Sequence, residues 1–128
     1  MLKLRPRRRI DPAKIPKAAK PVAACCAFCG ERIVRARPLA GPTRTAAGRC
    51  RCGAYFVSDE NGKLAGEALL AGLHLLALGD PDEAMALREG MDYEARALAY
   101  DERRHEVQPG VEPNRYGVSR MWYFRSLR

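Results

Sequence analysis

Five cysteines fall in two short stretches, Cys25-Cys26-Ala27-Phe28-Cys29-Gly30 and Cys50-Arg51-Cys52-Gly53, and nowhere else in the 128 residues. Thiols so grouped can form disulfides, act as a redox centre or hold a metal. Cys26 and Cys29 have the C-x-x-C spacing, and 20 residues separate Cys29 from Cys50, the upper end of the range for a four-cysteine zinc site. Two thiolates on one tight turn reach two corners of a tetrahedron only if the backbone folds round the metal. A following glycine permits the positive φ this needs, and Gly30 and Gly53 hold those positions. An odd thiol count without a secretion leader argues against a disulfide framework. A thioredoxin-like centre needs its C-x-x-C at a helix start, yet β-like Arg32-Ile33-Val34-Arg35-Ala36-Arg37 follows. The expected ligands are Cys26, Cys29, Cys50 and Cys52 on one Zn2+ ion. Four thiolates leave no open coordination position, so the metal is expected to be structural. Rubredoxin-type iron uses the same ligand set. Cys25 is read as a neighbouring non-ligand, the alternative being that it replaces Cys26 through a C-x-x-x-C turn.

Residues 26–58, about a quarter of the chain, resemble the zinc-ribbon superfamily on the strength of these four cysteines with Gly30 and Gly53. The resemblance implies two cysteine knuckles at the tips of β-hairpins gripping one structural zinc ion, and it raises nucleic-acid binding as a use. The second pair departs from the superfamily pattern by being C-x-C, which demands a tighter turn.

The elements that must position the cysteines follow from pattern. Residues 1–22 alternate cations with prolines without periodicity and are expected to form a disordered basic arm. Four prolines within residues 6–21 also oppose an amphipathic transit helix. Residues 23–128 are expected to be one domain, with a ribbon over 26–58, a helical part over 63–90 and a β part over 91–128. Strands are predicted at 32–37, 43–49 and 54–58. Leu64, Ala68, Ala71, Leu75 and Leu78 recur at spacings of three and four, predicting a helix over 63–78. Leu69, Leu70, Leu73 and Leu76 widen its apolar face, so it is expected to be the most buried helix. Asp80, Pro81, Asp82 and Glu83 predict the capped start of a short second helix, burying Ala84, Met85 and Leu87 at most and ended by Gly90. "ALAY" and "HEVQ" flanking "DERR" favour a hairpin over a continued helix, and "GVSRMWYFRSLR" at 117–128 a terminal strand with Met121, Tyr123 and Arg125 on one face and Trp122, Phe124 and Ser126 on the other. The fold class is α+β: a small zinc-ribbon module packed with one buried helix, a short second helix and a C-terminal hairpin and strand.

Charge is uneven. Residues 1–30 carry eight cations against one acid and residues 31–52 six against one, whereas 53–113 carry five against thirteen and 114–128 four and none. A basic arm and a basic ribbon suit a polyanion, because each Lys or Arg near a phosphate releases counterions. Arg5, Arg7, Arg8, Arg9, Lys14, Lys17 and Lys20 are expected to clamp it flexibly, with Arg32, Arg35, Arg37, Arg44, Arg49 and Arg51 presenting the ordered contacts. The competing expectation is that the acidic middle folds back and neutralises them. RNA or a ribonucleoprotein is preferred to duplex DNA because no helix carries a basic recognition face.

Trp122, Tyr123 and Phe124 could stack on bases, but such a stripe is more often a strand with one face in the core. His74 is expected to be a hydrogen-bonded core histidine and His105 a surface strand residue. No nucleophile or second base sits at a recognisable spacing from His105, so no catalytic role is assigned and the chain is not expected to be an enzyme. The longest apolar run, 68–78, is 11 residues broken by Gly72 and His74, well short of the roughly 18 that a membrane span needs. The expectation is a cytoplasmic zinc protein that binds nucleic acid, the alternative a zinc-stapled protein–protein adaptor.

Overall fold

The computed structural model describes residues 20–39, 45–60, 65–115 and 117–128. Its elements are β1 (Val22–Ala23), β2 (Arg37–Pro38), β3 (Ala46–Arg49), β4 (Tyr55–Asp59), α1 (Ala65–Leu76), α2 (Pro81–Ala86), β5 (Tyr93–Asp101), β6 (Glu106–Gln108) and β7 (Arg120–Ser126). The expected α+β class holds. The strands form one curled sheet in the order β1-β6-β5-β7-β4-β3-β2, every neighbouring pair antiparallel.

β7 lies at the centre and its middle is covered on both faces, which is why Met121 to Phe124 run as four consecutive apolar residues. Met121 and Tyr123 point into a cluster with Phe56, Leu98, Tyr100, Val107 and the first cysteine stretch. Trp122 and Phe124 point into a second cluster, with Val57, Tyr93 and the two helices. The two-face division of β7 read from its alternation is correct. The hairpin is also present, pairing Tyr100 with Val107 and Asp101 with Glu106. β5 starts earlier than "ALAY" because β7 offers pairing partners all the way from Tyr93 to Ala99.

Two expectations need correction. A strand over 32–37 does not form. Arg32 bridges Cys25 and Ile33 N–H donates to the Ala24 carbonyl, but there pairing stops and resumes only at Arg37–Pro38. Ile33 turns into the core and its carbonyl is taken by His105 Nε2 at 2.7 Å, which leads the chain out of strand alignment. Second, α1 buries Ala68, Gly72 and Leu73 but leaves Leu69 42% and Leu70 46% exposed. A Cβ at Gly72 would overlap the Phe124 ring. The helix therefore docks through Ala68, Gly72 and Leu73, and Leu69 and Leu70 are rotated to its flanks.

α2 begins as expected, with Asp80 Oδ1 accepting from the N–H groups of Asp82 (3.0 Å) and Glu83 (3.2 Å) and Pro81 in the first turn. It buries Ala84, whereas Met85 is exposed. Among the described residues no helix is long and apolar enough to cross a membrane.

Candidate metal centre

Both cysteine pairs sit at the tips of antiparallel hairpins. In the first, Cys26 N–H donates to the Glu31 carbonyl and Gly30 N–H to the Cys26 carbonyl, with Gly30 at φ 78°. Phe28 N–H points at Cys26 Sγ and Glu31 N–H at Cys29 Sγ, each at 3.4 Å, so the turn supplies donors to its own sulfurs. The second tip joins β3 to β4. Gly53 N–H donates to the Cys50 carbonyl at 2.8 Å, Cys50 N–H to the Ala54 carbonyl at 2.7 Å, and Gly53 has φ 101°. This tighter turn puts Cys50 and Cys52 on one side with Arg51 between them, and so resolves how C-x-C can serve.

The four sulfurs of Cys26, Cys29, Cys50 and Cys52 all lie within 4.8 Å of one another. Cys26 Sγ is 3.8 Å from Cys52 Sγ, and Cys29 Sγ 3.5 Å from Cys50 Sγ. Metal–sulfur bonds of about 2.3 Å at tetrahedral angles put sulfurs about 3.8 Å apart, so the spacing fits one four-coordinate ion. Zinc and iron both accept four thiolates. Burial pushes the Cys26 thiol well above its ordinary pKa and that of Cys50 up to about 11. At Cys52, which is exposed, burial acts in the same sense but is outweighed by hydrogen bonds from Ala54 N–H and the neighbouring thiols, and the pKa is lowered. Cys25 stands outside the cluster. It is buried, its thiol is pushed up to about 11 by burial and by Cys29, and its carbonyl accepts Tyr123 Oη–H at 2.8 Å.

The central strands hold the first tip in place through residues that the sequence did not single out. Arg96 and Arg125 lie 4.9 and 4.6 Å from the centroid of Phe28. Arg96 Nη1 donates to the Ala27 carbonyl at 3.0 Å, and Glu94 accepts from both guanidiniums. Hydrogen bonding to Arg125 and Arg96 holds the Glu94 carboxyl below its ordinary range. Only a signal of alternation, Glu94 and Arg96 two apart on β5, hinted at this cluster. His105 is not a surface strand residue. It sits in the β5–β6 turn at φ 53°, bonded through Nδ1 to Tyr100 Oη and through Nε2 to the Ile33 carbonyl, both at 2.7 Å. His74 is half-buried, with Nδ1 on the Leu70 carbonyl at 2.8 Å.

Of the arginines and lysines assigned to a polyanion, Arg5, Arg7, Arg8, Arg9, Lys14, Lys17 and Arg44 lie outside the described residues. Lys20, Arg32, Arg35, Arg37, Arg49 and Arg51 are all exposed. Arg35 donates to the carbonyls of Glu102 (2.6 Å) and Arg103 (3.2 Å), and Arg49 lies over the Tyr55 ring at 5.3 Å. Four acids of the middle section form ion pairs with other arginines: Asp59 with Arg120, Glu94 with Arg96 and Arg125, and Glu83 and Asp92 with Arg128. Tyr123 and Phe124 are fully buried, which removes them as base-stacking platforms.

Comparison of the chain with known protein families, curated proteins and solved structures finds no match.

Proposed function

We propose that this chain is a zinc-stapled, ribbon-type binding domain whose basic face takes a polyanion, RNA or a ribonucleoprotein in preference to duplex DNA. The observation that carries the reading is the meeting of four sulfurs from two hairpin tips within 4.8 Å. With every tetrahedral position filled by protein, the ion serves architecture and binding follows from what it positions. Arg49 and Arg51 flank a ligand, and the carboxylates of residues 53–113 that form ion pairs engage Arg96, Arg120, Arg125 and Arg128 instead. That distribution favours a basic face over internal neutralisation. α1 and α2 contain no Lys or Arg, so neither suits a basic helix laid in a DNA major groove.

The test is fluorescence anisotropy of the metal-loaded full chain with single-stranded RNA and with duplex DNA across a salt series. Tighter RNA binding with a negative log–log salt slope is expected, and Arg49→Gln with Arg51→Gln should flatten that slope by about 1.4, from about 0.7 per phosphate contact. Salt-insensitive binding, or a slope unchanged in the double variant, refutes the basic face. The second reading, a protein adaptor, draws on the exposed leucines of α1.

A further inference from the structure

The outward flank of α1 and the turn after it expose large apolar side chains: Leu69, Leu70 and Leu78. Leu70, Ala71, His74, Leu75 and Leu78 line an apolar groove of about 540 Å³, closed on its other side by Leu39 and Tyr55. Leu78 is 87% exposed and held at φ 54°, a conformation that disfavours a bulky side chain. α1 has one ordinarily charged residue, Glu67, and one histidine in twelve positions. A helix with so little polar surface is normally covered on more than one side.

The stripe is self-complementary. Glu67 and His74 are seven residues apart on the same side, so about 10.5 Å of helix rise prevents them from pairing within one chain. Glu67 is exposed and meets no cation among the described residues, and His74 Nδ1 is committed to Leu70, leaving Nε2 without a partner among them. A two-fold axis crossing α1 between Leu70 and Ala71 reverses the helix direction. It sets Glu67 opposite His74 of a second copy, and does so twice, because an isologous interface repeats each contact. The same axis brings Leu70 against its symmetry mate, and small Ala71 lets the helices approach. We infer that α1 is a homodimer interface in which two copies pack antiparallel through this stripe, joined by reciprocal Glu67–His74 pairs. This inference is independent of the polyanion reading and of the metal's identity.

The test is sedimentation equilibrium of the full, metal-loaded chain over about 1–100 µM, concentrations bracketing a micromolar dimer. A concentration-dependent dimer is expected. Leu70→Glu should give a monomer with unchanged metal content and circular dichroism. Glu67→Lys should weaken dimerisation about tenfold, and adding His74→Glu should restore it by reversing the order of the pair. A wild-type monomer at every concentration, a dimer insensitive to Leu70→Glu, or a reversed pair no tighter than Glu67→Lys alone would overturn the interface. So would a chain that dimerises only after residues 1–19 are removed, since its own N-terminal segment would then be the occupant.

Discussion

Tyr123, at the middle of the central strand, donates a 2.8 Å hydrogen bond to the carbonyl of Cys25, 98 residues away and next to Cys26, the first cysteine of the cluster. Tyr123 is fully buried, so this bond ties the first hairpin tip to the floor of the sheet. Tyr123→Phe removes the donor and keeps the ring, leaving a buried carbonyl without that partner. The expected loss is about 1–3 kcal/mol in urea unfolding of the metal-loaded chain. A change within error would mean that the carbonyl finds another partner.

Asp59 and Arg120 face each other across the β4–β7 pairing, with Asp59 at 0% exposure and Trp122 Nε1 donating to its carboxylate at 3.3 Å. Removing one member of a buried pair strands the other charge, so Asp59→Ala should cost about 3–5 kcal/mol. Thermal or urea denaturation measures it, and substituting Arg120→Met in addition should recover part of the loss.

Acidity should act in opposite directions on the two metal states. In the metal-free chain, burial raises the Cys25 and Cys50 thiols from 9.0 to about 11. The fold then favours their neutral forms, so that contribution is fully present below about pH 9 and is lost as pH rises through about 11. A metal needs deprotonated thiolates, so the loaded chain should instead release its ion as pH falls. Unfolding curves of both forms from pH 5 to 11 check the crossing trends; parallel curves would refute the ligand chemistry.

How much of this was legible beforehand depended on how local each cause is. The cysteine spacing, Gly30 and Gly53, the Asp80-Pro81 cap and the β7 alternation are written within a few residues, and all appear in the fold. What the sequence concealed was contact between distant segments. Phe28 gives no sign that Arg96 and Arg125 will flank it, and Asp59 none that Arg120 will meet it. α1 misled for a related reason: apolar nearly all round, its periodicity left open which side docks, and the close fit of Gly72 to Phe124 decided it.

The two adjacent thiols Cys25 and Cys26 should separate cleanly. Cys25→Ser should retain the full metal content, because that side chain lies outside the cluster, whereas Cys29→Ser should lose metal and loosen residues 24–33 and 50–54. Hydrogen exchange with metal analysis distinguishes them, and equal metal loss from both would reassign the ligand set.

The most direct measurement is elemental analysis of the reduced, full-length protein with thiol alkylation in parallel. The account predicts about one zinc ion per chain, with Cys26, Cys29, Cys50 and Cys52 protected from alkylation until a chelator removes it. A folded protein that carries no stoichiometric metal and whose exposed Cys52 alkylates at the same rate with and without chelator would contradict it.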